Sequence, residues 1–340
     1  MKRILPLFLA LALLLTGCTA VSTTETTSQT VSQVDSSSSA LESAAESASS
    51  QLESAGEVSI TDSNGSQITL DTSAPRVVAA YGSFAEAWLL AGGQLCGVTQ
   101  DALEQRDLGL PEDIAVVGTV KEPNAEEIIA LEPDLVLLAS DITAQAEIRD
   151  VLENAGLACA FFQVDTFADY AFMMEQLCAI TGREDLYEEN VTQVGQQIEE
   201  AQANAALSST RPNVLLIRAF STGIKAKTDD ELAGAILKDL GAHNIADDHP
   251  SMLEDLSLEE VIAADPDYIF VTTMGDEQKA LDYLNGLIQQ NPAWSELSAV
   301  KEDRYIVLPK DLFHYKPNNR WGESYQYLGE ILYPELFHEE

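Results

Sequence analysis

The chain has 340 residues, 46% of them hydrophobic, and its 56 acidic and 18 basic residues give a formal net charge of −38. This length is sufficient for two domains of ordinary size, each with its own core. The charge excludes nucleic acid as a partner, because a phosphate backbone would be repelled, and it suits a solvated, soluble surface.

The N-terminus has the pattern of an export signal. Two basic residues at 2–3 precede a largely apolar run at 4–15. As a helix that run reaches about 18 Å, too short for a bilayer core of about 30 Å but typical of a signal peptide. The motif LTGC at 15–18 resembles the lipobox of bacterial lipoproteins, which implies cleavage before Cys18 and its lipidation. We predict a signal peptide at 1–17; the alternative is a plain secretory signal with an incidental cysteine.

Residues 18–56 are predicted to be a disordered tether. Between residues 19 and 74 there is no Lys, Arg or aromatic residue, and the first part of this stretch is rich in Ser, Thr, Ala, Gln and Glu. Such a composition cannot bury enough apolar surface to offset chain entropy. A tether would hold a folded part clear of a membrane, so we expect an exported protein that is lipid-anchored on the outer face of the cell membrane.

The folded part is predicted to begin with a hairpin and then to repeat one unit. Apolar residues alternate on both sides of Asn64-Gly65, which is a strong hairpin signal. The sequence EEIIALEPDLVLL at 126–138 returns as EEVIAADPDYIFV at 259–271, with six identities in 13 positions. Each copy predicts a short helix, a Pro-Asp turn and a buried parallel strand.

The regions around the repeat correspond as well. An apolar strand at 76–80 precedes a helix with Glu86, and one at 213–217 precedes a helix with Glu231. We therefore predict an α/β fold of two lobes, each with a mainly parallel sheet flanked by helices.

The predicted lobes cover 57–183 and 211–340. Residues 184–210 between them begin with a stretch rich in Glu, Gln and Ala, which predicts one long connecting helix of about 35 Å. Such a stiff connection would permit only a small closure of the two lobes.

This organisation resembles the class III group of ABC-transporter substrate-binding proteins, which serve siderophores, haem and cobalamin. The resemblance covers about 57–336. The stretches that carry it are Arg76-Val77-Val78 with Ser83–Glu86, Gly118-Thr119 with Glu126–Ile128, Pro133–Val136, and Asp230–Leu232 with Leu240–Ala242. It implies a monomer without an intrinsic cofactor that captures a small metal chelate, here an iron complex, between the lobes and delivers it to an ABC permease with its ATPase.

The resemblance also implies how the protein docks. In that group an exposed glutamate of each lobe meets permease arginines, and by position these are Glu86 and Glu231. Opposite charges would steer docking and fix its register. Reversing both charges is then expected to abolish uptake and to leave ligand affinity intact.

Ligands of open α/β sheets bind beyond the carboxyl ends of the strands. The candidate ligand-binding residues are those predicted at such ends and in the unusual run FHYKPNNRW: Tyr81, Gly82, Lys121, Arg218, Phe220, Lys225, His314, Tyr315, Lys316, Arg320 and Trp321. Cations gathered with aromatics suit an anionic, partly aromatic ligand. Ferric siderophores and haem both fit, and cobalamin fits less well. For any single cation, pairing with a nearby carboxylate is an equally good explanation.

Direct metal ligation has three candidates. Tyr81, His314 and Tyr315 could act as axial ligands of iron, although a lone histidine is more often a polar loop residue, and no metal ligand is assigned with certainty. Four scattered histidines argue against a zinc-uptake site. The sequence does not show whether Cys96, Cys159 and Cys178 pair.

Catalytic motifs do not stand out. The phosphate loop GxxxxGK[ST], HExxH and GxSxG do not occur, so we predict a binding protein and not an enzyme, although catalytic groups that meet only in space stay open. Two alternatives remain: a cobalamin-binding member of the same group, and a surface lipoprotein that binds haem or another ligand without feeding a permease.

Overall fold

A computed structural model describes residues 56–254 and 256–337. The predicted signal peptide, the lipidation site Cys18 and nearly all of the predicted tether lie outside the described residues. Within the described ranges, no helix combines the length and the apolar character needed to cross a membrane.

The N-terminal hairpin is confirmed. Strands β1 (Val58–Thr61) and β2 (Gln67–Leu70) pair antiparallel. The carboxylate of Asp62 accepts hydrogen bonds from the backbone N–H groups of Asn64 and Ser66, at 3.0 and 2.8 Å, and from that of Phe161 at 3.2 Å. One side chain therefore shapes the turn and attaches the hairpin to the first lobe.

The first lobe contains a parallel sheet. Its strands are β3 (Val77–Ala79), β4 (Leu95–Val98), β5 (Ala115–Val116), β8 (Leu135–Ala139) and β9 (Ala158–Phe162), with the two-stranded ribbon β6 (Gly118–Thr119) and β7 (Glu122–Pro123) beside them. The order is β5-β4-β3-β8-β9, and each described pair in it is parallel. All five residues of β8 are buried, as expected for a strand with both faces covered by helices.

The helices of this lobe are α1 (Gly82–Leu90), α2 (Asp101–Glu104), α3 (Ala125–Ala130), α4 (Thr143–Asn154) and α5 (Phe167–Thr181). Helix α5 begins with a capping box between Thr166 and Asp169, and it ends at Gly182 in the left-handed conformation. Local sequence signals therefore set both ends of this helix.

The connection between the lobes is helical, as predicted. It consists of α6 (Glu184–Tyr187), a π-helical turn (Glu188–Thr192) and α7 (Gln193–Ala206). Single π-helical turns inside α-helices frequently occur at functional sites. Here the side chain of Asn190 donates to the carbonyl oxygens of Leu90 at 3.3 Å and Leu186 at 3.0 Å.

The second lobe contains its own sheet. Its strands are β10 (Asn213–Phe220), β11 (Gly223–Lys227), β12 (His243–Asn244), β13 (Tyr268–Thr273) and β14 (Tyr305–Val307). The order is β11-β10-β13-β14, with β12 also pairing β10. Only β11 is antiparallel among these described pairs. Because the two lobes have separate sheets, the prediction of two α/β lobes is confirmed.

Helices α8 (Leu232–Asp239), α9 (Leu258–Ala264), α10 (Glu277–Gln290), α11 (Ser298–Lys301), α12 (Lys310–Phe313), α13 (Trp321–Leu332) and α14 (Pro334–Phe337) complete this lobe. Short 3-10 turns lie at Ile245–Asp247, Pro250–Leu253, Pro292–Glu296 and Asn318–Arg320. Helix α13 lies against α7, so the last long helix of the chain packs on the connection.

The two copies of the repeat agree in backbone detail. The residue before each Pro-Asp turn, Glu132 and Asp265, has a positive φ of 48° and 41°. The aspartate of each turn then holds the start of the lobe's first strand. Asp134 accepts from the N–H of Arg76 at 2.7 Å, and Asp267 accepts from the N–H of Asn213 at 2.8 Å. The repeat is therefore one structural unit used twice.

Candidate functional site

The carboxyl ends of the first sheet form what we call the first wall, carrying Tyr81, Lys121 and Asp141. Fully buried Gln145 holds this edge together. Its amide nitrogen donates to the carbonyl oxygens of Ala80 at 2.7 Å and Val120 at 3.1 Å, and its amide oxygen accepts from the N–H of Ala139 at 2.7 Å. The loops after β3 and β8 and the turn that presents Lys121 are thus fixed to one another.

Tyr81 lies at this edge with its ring edge-on to Phe84, 5.3 Å between centroids. Burial raises the pKa of its phenol to about 12; Arg106 opposes the shift, and Asp101, Asp141 and Asp165 reinforce it. The phenol is therefore protonated at neutral pH, and binding iron as a phenolate would require it to lose that proton.

Gly82 has a structural role here. Its N–H donates to the buried carboxylate of Asp101 at 2.7 Å. A Cβ at this position would lie 2.7 Å from the same carboxylate oxygen and 2.9 Å from the nitrogen of Ala102. Helix α2 covers Gly82, so the structure gives this glycine a packing role, and its contact with a ligand stays a prediction.

Lys121 is exposed at the tip of the ribbon formed by β6 and β7. The tight ribbon depends on Gly118, which has a φ of 94° and where a Cβ would collide with the carbonyl oxygen of Glu122. The ammonium group of Lys121 thus extends from a rigid base.

The carboxyl ends of the second sheet form the second wall, carrying Arg218, Phe220, Lys225 and His314. Arg218 and Lys225 are directly paired across β10 and β11, so their side chains share one face. Lys225 is exposed and Phe220 is half-buried. The guanidinium of Arg218 pairs with the carboxylate of Glu231, with Nη1 2.8 Å from Oε1.

Lys227 adds a second cation to the same carboxylate, 2.8 Å from Glu231. Arg218 and Lys227 therefore share one carboxylate, and Lys225 is a third cation on the same face. The excess is positive, in a chain whose net charge is −38.

His314 follows α12 and is partly buried in this cationic region. Burial lowers the pKa of its imidazole to about 4, and the positive charges of Arg218, Lys310 and Lys316 reinforce the shift while Glu231 opposes it. The imidazole is therefore neutral at physiological pH. In that form it can accept a hydrogen bond or bind a metal ion.

Lys310 belongs to the second wall, although the sequence analysis did not select it. Its ammonium donates to the carbonyl oxygen of Gly275 at 2.7 Å and lies 6.0 Å from the centroid of the Tyr315 ring. It lies three residues beyond the end of β14, so a search of the residues that follow strand ends would have found it.

Residues 315–319, which we call the strap, join the two walls. The carboxamide of Asn318 donates to the carbonyl oxygen of Ser83 at 3.0 Å and to the carboxylate of Glu86 at 2.6 Å. The guanidinium of Arg106 contacts Glu86 and the carbonyl oxygens of Tyr315 and Lys316. No sequence pattern pointed to Arg106, and the unusual run FHYKPNNRW contains Asn318, which the sequence analysis did not select.

Three residues predicted to bind ligand are occupied elsewhere. The ammonium of Lys316 contacts Asp165, 3.1 Å away, and the carbonyl oxygen of Val164. Arg320 lies 2.7 Å from both Asp311 and Glu323. The indole of Trp321 is 2% exposed and packs edge-on to Phe167. Burial of Trp321 and the carboxylate partners of both cations argue against contact with a ligand, which stays a prediction for these three residues.

The two predicted docking glutamates are less exposed than the resemblance implied. The side chain of Glu86 is 24% exposed and that of Glu231 is 18% exposed, and each is bound to a cation of its own lobe. Reversing both charges would place cations beside Arg106 and Arg218. We therefore no longer expect ligand affinity to survive that change; the docking role itself stays a prediction.

Metal and thiol chemistry have little support among residues 56–254 and 256–337. No group of three or more His, Cys, Asp or Glu side chains there could hold a metal ion. Cys96, Cys159 and Cys178 are free thiols in this part of the chain. Burial raises the pKa of Cys159 to about 12 and that of Cys178 to about 11, so neither is a reactive thiolate at neutral pH.

Comparisons with known proteins agree with this architecture. A family model described as periplasmic binding protein matches residues 77–312. The Fe(3+)-citrate-binding protein YfmC of Bacillus subtilis is 26% identical over 269 residues, which is 76% of this chain and 80% of YfmC.

Two solved structures of S. aureus proteins show the same fold, each at 19% identity and a TM-score of 0.63. IsdE complexed with heme matches 76% of this chain and 99% of its own. The match to SirA complexed with staphyloferrin B covers 83% of this chain and 99% of SirA.

Proposed function

This chain belongs to the periplasmic binding protein family, and from that premise we propose that it is the solute-binding subunit of an ABC importer that captures an anionic iron complex between its two walls. Of the similar proteins named above, YfmC is an Fe(3+)-citrate-binding protein, and IsdE and SirA form complexes with heme and with staphyloferrin B. These ligands are iron complexes or chelators, and we extend that class to this chain. The proposed role involves no catalysis.

The observation that carries the anionic character of the ligand is the charge of the second wall. Arg218 and Lys227 share the carboxylate of Glu231, and Lys225, paired with Arg218 in the strand register, is exposed beside them. Lys310 lies nearby, 2.7 Å from the carbonyl oxygen of Gly275 and 3.9 Å from the carboxylate of Glu277. Cations that remain in excess at a strand-end edge suit carboxylate or phenolate groups. A carboxylate-rich ferric chelate therefore fits this wall best.

Haem is the second candidate, and it rests on His314. The neutral imidazole of this residue and the phenol of Tyr81 belong to opposite walls, and both types of group serve as axial haem ligands. The cations of the second wall would then face the haem propionates. Cobalamin is less anionic and makes less use of these cations.

We test the ligand class with the full-length chain carrying Cys18→Ser, titrated calorimetrically with ferric citrate, haem and cyanocobalamin. Calorimetry is preferred to tryptophan fluorescence because Trp88, Trp294 and Trp321 are all buried. We expect saturable binding of ferric citrate, and about tenfold weaker binding after Arg218→Gln combined with Lys225→Gln.

A new visible absorbance band that is lost in His314→Ala would select haem instead. Binding of cobalamin alone would contradict the proposed ligand class.

The membrane side of the proposal has three parts. Cys18 carries a lipid that anchors the exported protein, the protein works as a monomer, and it docks to the permease through Glu86 and Glu231. In cells, Cys18→Ser should release the protein from the membrane fraction. Unchanged membrane association of that variant would contradict the anchor.

Docking is better tested by Glu86→Gln with Glu231→Gln than by charge reversal. Glutamine keeps an acceptor for Asn318 and Arg218 and removes the charge. Uptake of the labelled chelate should fall much more than affinity, and equal losses in both would indicate that these carboxylates serve ligand binding alone.

A further inference from the structure

The strap connects the two walls through several polar contacts. Asn318 is fully buried and uses its whole carboxamide on the first turn of α1: the nitrogen donates to Ser83 and Glu86, and the oxygen accepts from the hydroxyl of Ser83 at 3.2 Å. Its φ of 52° lies in the left-handed region, which asparagine tolerates better than most residues. A single side chain of the second half of the chain is thereby fixed to the first lobe.

Arg106 fixes the strap from the other side. It follows α2 in the first lobe, is mostly buried, and donates to Glu86 and to two successive strap carbonyl groups, those of Tyr315 and Lys316. Charge-assisted bonds from a planar guanidinium are strong and directional. The backbone next to His314 is therefore held by a residue of the opposite lobe.

Two further contacts extend the connection. Lys316, also with a positive φ of 56°, reaches Val164 and Asp165 beyond the end of β9. Asn319 donates to the side chain of Asn190 at 3.0 Å, at the π-helical turn of the connecting helix. Strap, first lobe and connecting helix thus meet in one hydrogen-bonded network.

We infer that Arg106 and Asn318 are positioning residues, which set the angle between the lobes and thereby hold His314 and Lys310 at the working distance from Tyr81. They act through the strap and not by contact with ligand. The apolar packing of α13 on the connecting helix and of Trp321 on Phe167 also joins the lobes. The directional contacts of Arg106 and Asn318 add the constraint that fixes the angle between the lobes before a ligand arrives.

This inference deepens the proposed function, and it rests on that function only where ligand affinity is concerned. If the lobes lose their fixed angle, only a fraction of molecules has a competent site, and the apparent dissociation constant rises by the inverse of that fraction. A competent population of one tenth would weaken binding about tenfold, mainly through slower association.

The test measures the distance between the lobes directly. Spin labels are placed at Val151→Cys on α4 and Tyr283→Cys on α10, which are exposed and belong to different lobes. The full-length chain also carries Cys18→Ser and Cys96→Ser, while Cys159 and Cys178 are buried. Pulsed electron paramagnetic resonance of frozen samples gives the distance distribution without ligand and with ferric citrate.

Two variants release the strap from opposite sides. Arg106→Gln removes the guanidinium, and Asn318→Gly removes the carboxamide while a left-handed φ stays accessible. Arg183→Gln is the matched control, because it breaks an arginine–carboxylate pair with Asp185 that does not join the lobes. The parent protein and the control should each give one narrow distribution, with or without ligand.

Both strap variants should give a broader distribution without ligand and an affinity for ferric citrate about tenfold lower. Far-ultraviolet circular dichroism confirms that each is folded, and one folded variant is sufficient for the test. Distributions as narrow as the parent's would overturn the inference. If the distance distributions of the variants broaden but the parent protein does not bind ferric citrate, the inference is supported and the proposed ligand is wrong.

Discussion

Arg218 and Lys225 face each other across one hairpin but are differently engaged. Arg218 is committed to Glu231, whereas Lys225 is exposed and makes no ion pair among the described residues. A ligand carboxylate that meets Lys225 displaces only water, whereas one that meets Arg218 must share it with Glu231. Lys225 should therefore strengthen ligand binding, and its replacement should have little effect on the stability of the fold.

Replacing Lys225 with Gln should weaken binding of ferric citrate roughly 3- to 10-fold, a typical range for one exposed charge pair. Thermal unfolding should be unchanged. Lys301→Gln serves as the control, because Lys301 precedes β14 and so lies toward the other edge of the sheet. Equal affinities for Lys225→Gln and the parent would remove Lys225 from the site.

His314 predicts how stability depends on pH. Its folded-state pKa of about 4 lies below the ordinary value of 6.5 because of burial and adjacent cations. Between pH 6.5 and 4 the unfolded chain takes up a proton that the folded chain does not, so the free energy of unfolding falls as the pH falls. The loss amounts to roughly 3 kcal/mol and is complete below pH 4.

Urea unfolding of the parent and of His314→Gln at several pH values measures this contribution. The variant should lose less stability than the parent between pH 6.5 and 4. His243, which is exposed and lies 2.9 Å from Asp248, is replaced in the same way and shows what a histidine outside the cationic region contributes. Parallel curves for His314→Gln and the parent would mean that the imidazole is not destabilised in its charged form.

The sequence identifies which residues lie near strand ends. It does not show which of their side chains are exposed and without an ion-pair partner. Arg218 and Lys225 were selected for the same reason, and only the fold shows that Glu231 neutralises one of them. Trp321 was selected with its neighbours, yet the start of α13 turns it against Phe167. Pairing and burial depend on tertiary contacts between distant segments, and these leave no local pattern.

At the scale of elements, the Pro-Asp turn is the part of the repeat that matters most for folding. Asp134 and Asp267 each hold the first strand of a lobe through a backbone N–H group. The repeat was visible in the sequence because turns, prolines and buried strands have local signals. The added antiparallel strand β11 was not predicted, although the sequence at 224–227 alternates apolar and polar residues, because the segment is short and its two lysines are also typical of a loop.

Replacing Asp134 or Asp267 with Ala should lower the free energy of unfolding by about 1–2 kcal/mol each, through loss of a charge-assisted bond to a backbone N–H. The similar geometry predicts similar losses in both lobes. Urea unfolding measures them, with Asp150→Ala as an exposed control on α4. Losses no larger than that of the control would show that the turns do not anchor the strands.

At the scale of the whole molecule, the negative net charge repels the proposed anionic ligand at long range. The cations of the second wall attract it at short range. The chain carries a formal charge of −38, whereas the second wall holds excess cations. The screening length is about 30 Å at 10 mM salt and about 8 Å at 150 mM. Salt therefore suppresses the long-range repulsion before it weakens the short-range attraction.

Association of ferric citrate should become faster as salt rises from 10 to 150 mM, which is opposite to ordinary electrostatic steering. Stopped-flow mixing measures the rate constant, and an uncharged chelate of similar size should show no such trend. A rate that falls with salt would mean that the second wall, and not the total charge, governs the approach.

The two walls are made by one repeated unit, yet they carry unlike groups. Tyr81 and Asp141 belong to one, and Arg218 and Lys225 to the other. A chelate with its acidic arms on one side is consequently admitted in a single pose, arms toward the cations and its opposite face toward the phenol. Mirror-image forms of such a chelate present their arms differently, so the protein should distinguish between enantiomers.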